Sequence, residues 1–134
     1  MFVDACAIIA VLTEEKEAER CSEAIRTANR PMTSPLVVLE TVLALMRPDK
    51  LSLSVSQAER LVLDFLDARG IAVRDLPPAR EATALSLSAL GRYRSGRRGL
   101  NLADCLHYAC AKYYRVPILA TDNEFRVTDL EVVA

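Results

Sequence analysis

Apolar residues in this chain fall into short uninterrupted blocks and longer stripes spaced three or four apart, and the two patterns alternate from end to end. The first block, Phe2–Val3, predicts a strand ending at Asp4. Ile8–Leu12 then leads into a helix from Glu14 to Ala28, with Thr13 as its cap. Residues 29–34 mix a proline with small polar side chains and read as a connection. Ser34 and Pro35 open a helix to Met46, since serine caps well and proline suits the first helical position; Pro48 and Asp49 stop it. Ser56 and Glu59 have capping-box spacing and open a helix to Arg69, with Leu61, Phe65 and Leu66 on one stripe and Gly70 as the stop.

Beyond it, Ile71–Val73 predicts a strand, Pro77–Pro78 introduces a helix over Ala79–Leu90, and Asn101 opens another to Tyr114. Val116–Ala120 and Glu131–Val133 complete the strands. Short, wholly apolar strands separated by helices predict an α/β fold with a mainly parallel sheet buried on both faces. A helical bundle is the rival arrangement, because helices dominate and the strands are very short.

The length, 134 residues, suits a single domain over 1–134, without repeats or linkers. A net charge of −1 excludes a protein held to nucleic acid by bulk charge, but not one with a local basic patch. Arg92, Arg94, Arg97 and Arg98 form such a patch, suited to an RNA backbone or to the carboxylates of an acidic protein segment, and equally to a solvated loop. Tyr93 among them reads as packing before it reads as a base-stacking ring. Cys6, Cys21, Cys105 and Cys110 form no CxxC pair and read as reduced thiols, and the single histidine, His107, lacks a zinc-type cluster. No apolar run reaches the roughly 18 residues a bilayer requires, and the opening segment has no basic leader. A cytoplasmic protein with no membrane association is expected.

Four acids stand apart from the polar faces that carry the rest. Asp4 ends a strand, at the edge where open α/β sheets bind ligands. Glu40 is the one charge in the run Leu36–Met46, so a largely enclosed helix would have to offer it a metal ion, a cationic partner or an opening to solvent. Asp104 follows Asn101 at capping-box spacing among apolar neighbours. Asp122 follows a strand as Asp4 does, with Glu124 close enough to compete for its role. Gathered without a counter-ion, these carboxylates would repel one another and resist ionisation. Hard divalent ions take such oxygens, and two ions about 4 Å apart suit phosphodiester cleavage. His107, three residues after Asp104, shares its helical face and reads as a packed histidine rather than a phosphate contact.

Taken in order, Phe2-Val3-Asp4-Ala5-Cys6-Ala7-Ile8-Ile9-Ala10, Ser34-Pro35-Leu36-Val37-Val38-Leu39-Glu40, Leu102-Ala103-Asp104-Cys105-Leu106-His107-Tyr108-Ala109 and Ile118-Leu119-Ala120-Thr121-Asp122-Asn123-Glu124-Phe125 resemble the acidic motifs of the PIN-domain ribonucleases, and more closely those of the VapC toxin group. The resemblance spans nearly the whole chain. It implies a three-layer α/β/α sandwich with a central parallel sheet. It also implies endonuclease activity on single-stranded RNA dependent on Mg²⁺ or Mn²⁺, a homodimer, and a cognate antitoxin that occludes the site. Asp4, Glu40, Asp104 and Asp122 carry over as catalytic metal-binding acids, with Glu124 second to Asp122 and Thr121 beside it as a supporting hydroxyl. Cys6 stands where the family has Ser, Thr or Asn, so the usual hydrogen bond there is expected to be weak or missing. That departure keeps a catalytically impaired PIN-like binding or structural protein as the alternative. A phosphoryl-transfer or receiver-type α/β protein also places an Asp at a strand end, but the paired Asp and the lysine of those patterns are not found.

Overall fold

The computed structural model describes residues 1–93 and 99–133. Among these, strands β1 (Phe2–Val3), β2 (Met32–Thr33), β3 (Ala72–Val73), β4 (Ile118–Leu119) and β5 (Val132–Val133) form one parallel sheet in the order β3-β2-β1-β4-β5. Phe2 pairs with both Met32 and Ile118, and Val3 with Leu119. The chain therefore steps outward from β1 to β3, returns to the other side of β1 for β4, and continues to β5.

The helices are α1 (Ala5–Leu12), α2 (Ala18–Thr27), α3 (Pro35–Met46), α4 (Val55–Ala68), α5 (Ala79–Tyr93) and α6 (Leu102–Tyr114), with a 3₁₀ turn at Glu124–Val127. Right-handed crossovers put α1 to α4 on one face of the sheet and the returning pair α5 and α6 on the other. The contacts agree: α1 packs on α2 and α3, α3 on α4, and α5 on α6. This is the expected α/β/α sandwich, and the helical bundle is excluded. β1 and β4 are apolar on both sides and wholly buried, with Ile8, Val37, Leu45, Val62, Leu66 and Tyr108 packed around them.

Local starts and stops explain most boundaries. Ser34 Oγ accepts from Val37 N with Pro35 in the first turn, as the sequence predicts. Asn101 and Asp104 form a reciprocal capping box at the start of α6. Three expectations are corrected. The first helix begins at Ala5, capped by Asp4, and ends at Thr13, so the apolar run Ala5–Leu12 is a buried helix and not a lead-in. A second helix starts only at Ala18, after the turn that contains Glu14 with φ +55°. The capping box of α4 is Ser54 and Gln57, two residues upstream of the Ser56 and Glu59 pair. The strand β2 lies inside the stretch read as a connection.

α3 is less enclosed than its apolar sequence implies, since Leu39 and Leu43 are each 56% exposed. Cys6, Cys21 and Cys110 are free thiols. Among the described residues no helix is long and apolar enough to cross a membrane.

Candidate functional site

The strand order reverses between β1 and β4, and open parallel sheets bind ligands beyond the strand ends at such a switch point. Asp4 directly follows β1, and Asp122 lies three residues beyond Leu119 at the end of β4. Glu40 comes from the second turn of α3, Asp104 from the first turn of α6, and Glu124 from the 3₁₀ turn. All five line one cleft of about 350 Å³. The sequence picks out these five acids, and the fold brings them together.

Two acids are fixed by helix starts. Asp4 Oδ2 accepts from Cys6 N at 3.2 Å and so caps α1. Asp104 Oδ2 accepts from Asn101 N at 2.9 Å, while Asn101 Oδ1 accepts from Asp104 N at 2.8 Å. Each therefore begins a helix and faces the cleft at once.

Cys6 departs from expectation. Its thiol donates to Asp4 Oδ2 at 2.8 Å, and its sulfur accepts from Thr121 N at 3.1 Å. The bond expected to be weak or missing is made by sulfur. Burial, the Asp4 charge and that hydrogen bond hold the thiol well above its ordinary pKa, so it stays a neutral donor. Thr121 contributes its backbone N–H here.

His107 is the contact that sequence spacing misses. It is completely buried, and its Nε2 lies 2.6 Å from Glu40 Oε2 and 3.5 Å from Asp4 Oδ1. Burial alone would lower its pKa, but the hydrogen bond to Glu40 and the charges of Asp4, Glu40 and Asp104 outweigh it and leave the value raised. Glu40 thus has a hydrogen-bonding partner in His107 and the opening to solvent named from the sequence, its side chain being 37% exposed. Arg47, also unforeseen, lines the same cleft and pairs with Asp49 at 2.6 Å.

Among the described residues Arg47 is the one Lys or Arg lining the cleft. Burial pushes Asp104 up to about 6 against the opposing bond from Asn101, and Asp4 and Glu124 add to the rise. Asp122 and Glu124 are also raised, first by partial burial and then by acidic neighbours that include Asp4. Asp4 Oδ1 and Glu124 Oε2 are buried and accept no hydrogen bond in the described structure. Among the described residues no group of three or more His, Cys, Asp or Glu side chains stands in an arrangement that could hold a metal ion as it is. An open, oxygen-rich cleft with orphaned carboxylate oxygens still fits a hard divalent ion that keeps several waters, better than it fits a closed site.

Of the basic segment, only Arg92 and Tyr93 belong to the described residues. Arg94, Arg97 and Arg98 lie outside the described residues. Arg92 ends α5, where its guanidinium sits 4.8 Å over the Tyr93 ring and 4.0 Å from Asp129 Oδ2, away from the residues lining the cleft. Tyr93 packs on Tyr108 with ring centroids 5.7 Å apart and accepts from Asp129 N, in keeping with the packing role.

A PIN-domain family model matches residues 1–130. A VapC ribonuclease of Rhizobium meliloti (strain 1021) is 31% identical over 140 residues, covering 96% of this chain and 98% of that one. Among solved structures, Mycobacterium tuberculosis VapC20, described as a Sarcin-Ricin loop cleaving toxin, matches with a TM-score of 0.74 at 17% identity over 96% of this chain and 95% of its own. VapBC2 from Rickettsia felis, bound to a DNA fragment from its promoter, matches at 0.69 and 14% identity over 98% of this chain and 95% of its own. The two structures speak to the fold alone. With a family model across nearly the whole length and full-length relatives at 30% identity or more, the chain belongs to the PIN-domain family, in its VapC group.

Proposed function

We propose that the protein is an endoribonuclease dependent on Mg²⁺ or Mn²⁺, a toxin that cuts single-stranded regions of RNA by water attack and is silenced by a cognate antitoxin. The observation that carries this reading is the convergence of Asp4, Glu40, Asp104, Asp122 and Glu124 on one cleft at the sheet's switch point, with two buried oxygens that accept no hydrogen bond among the described residues. Asp4, Glu40 and Asp104 would hold the ion, with Asp122 completing the set and Glu124 beside it. Such an ion supplies a water of lowered pKa and stabilises charge on the leaving oxygen.

The remaining work falls to the chain itself. Asp4 and Asp104 are held by helix-start N–H groups, so their carboxylates need little reorganisation when substrate arrives. Cys6 fixes the orientation of Asp4, and the Thr121 N–H fixes Cys6. Attack by a metal-activated water requires no His/Lys acid–base pair and fits products with 5′-phosphate and 3′-hydroxyl ends. The thiol bond to Asp4 supports the catalytic reading over the alternative of an impaired PIN-like binding or structural protein.

Exposed Leu39 and Leu43 on α3, with Leu87, Leu90 and Leu102 on α5 and α6, offer apolar surface for an antitoxin segment and for a second copy. The deciding experiment is cleavage of cellular RNA by the purified chain with Mg²⁺, Mn²⁺ or EDTA, with end mapping of the products. Metal-dependent cuts bearing 5′-phosphates, lost in D4N and D104N, are expected; cleavage that ignores metal and both substitutions overturns the reading.

A further inference from the structure

We propose that His107 is a positioning residue that ties α6 to α3 and holds the Glu40 carboxylate in place for the divalent ion. The inference rests on the metal-dependent reading above and adds a residue to it. An ionised carboxylate can only accept, so His107 Nε2 carries the proton and donates to Glu40 Oε2 at 2.6 Å, leaving Oε1 outside that bond. The two residues are 67 positions apart in sequence, so the bond links the helix that bears Asp104 to the helix that bears Glu40.

The imidazole is itself held. It is completely buried, and its ring lies 5.9 Å from the Phe2 ring at 37°, against the strand that delivers Asp4. Glutamate, by contrast, has three rotatable side-chain bonds and stands partly in solvent here. Fixing such a side chain costs rotamer freedom, so an unrestrained Glu40 would spend much of its time away from the acids facing it. Partners that hydrogen-bond a metal ligand from behind typically change affinity by about 10–100-fold when removed.

Simple packing does not account for a histidine here. Nδ1 is buried with no partner among the described residues, and an unmatched buried polar atom costs stability. An aliphatic side chain would fill the same space without that cost. The position gives up stability, and the bond to Glu40 is what it gains.

His107 is the only histidine in the chain, so its imidazole can be read without ambiguity. The test uses the full chain without RNA. Mn²⁺ affinity is measured by electron paramagnetic resonance of free Mn²⁺, and folding by thermal melting, for wild type, H107L and H107Q. H107L is expected to keep or raise the melting temperature while weakening Mn²⁺ binding at least tenfold, and H107Q, which retains a donor, to recover most of the loss. In parallel, Mg²⁺ is titrated into ¹⁵N-histidine-labelled wild type, and the His107 Nε2–H resonance is expected to shift with the same midpoint as Mg²⁺ binding seen by calorimetry. An unmoved resonance during demonstrable Mg²⁺ binding overturns the proposal, as does undiminished Mn²⁺ affinity in folded H107L. The resonance arm decides the matter if H107L does not fold. Wild type that binds neither ion overturns the metal-dependent reading and this inference with it, an outcome distinct from the other two.

Discussion

The Cys6 thiol lies 2.8 Å from Asp4 Oδ2 and donates to it, while the same sulfur receives Thr121 N–H from the end of β4. One atom thereby connects the acid after β1 to the segment that carries Asp122. C6S, with a shorter and stronger donor, is expected to retain or increase metal-dependent RNA cleavage. C6A leaves Asp4 without its side-chain donor and is expected to lose about 10-fold or more. Initial cleavage rates against Mg²⁺ concentration distinguish the two, with the C6A loss largest at low Mg²⁺.

Asp4 and Asp104 combine helix capping with the proposed chemistry, so the choice of substitution separates the roles. D4N and D104N are expected to reduce cleavage at least 100-fold with melting temperatures near wild type, because an amide oxygen can still accept the backbone N–H bonds that the two carboxylates accept. D104A is expected to cost about 1 kcal/mol of stability besides, through loss of the reciprocal box with Asn101. Rates and melting curves on the same preparations check both halves.

Asp129 anchors the segment before β5. It accepts from Tyr108 Oη at 2.8 Å and from Lys112 Nζ at 2.9 Å. The Lys112 bond, then the Tyr108 bond, hold its carboxyl down at about 2. Because the folded value lies below the unfolded one, the stabilisation is present above about pH 4 and fades as pH falls through 2. D129A is expected to lower stability by about 1–3 kcal/mol near neutrality, since the Tyr108 hydroxyl loses its acceptor. The gap in melting temperature between D129A and wild type should narrow as the buffer is taken from pH 6 toward pH 2.

Arg115 ends α6 in the left-handed region, at φ +56° and ψ +50°. A side chain there is strained by about 1–2 kcal/mol, and glycine relieves it at some entropic cost in the unfolded chain. R115G is expected to stabilise by about 0.5 kcal/mol, measured by denaturant midpoint, with cleavage unchanged.

What the sequence discloses follows from how local each signal is. Ser34–Pro35 and Asn101 with Asp104 are contained within four residues, and both helix starts stand where spacing puts them. In Ser54-Val55-Ser56-Gln57-Ala58-Glu59 two capping boxes overlap, and the upstream one forms, in the helix that buries Ala58, Val62 and Leu66. β2 contains only two residues, too few for any periodicity, and it is a strand because β1 and β3 flank it. Asp4 reads as a strand end when it is equally a helix cap, which displaces the first helix by nine residues from Glu14 to Ala5. The acids are legible because charge is conspicuous in apolar runs. The His107–Glu40 bond is not, since no spacing rule connects positions 67 residues apart.

Both helix-capping aspartates hold their backbone N–H groups through an oxygen, and an amide retains one oxygen. On the roles proposed for them, exchanging the other for nitrogen is expected to yield a toxoid that keeps the outer shape of the active molecule. Such a decoy could still be recognised by whatever recognises the toxin, and titrate it away, at the cost of two changed atoms.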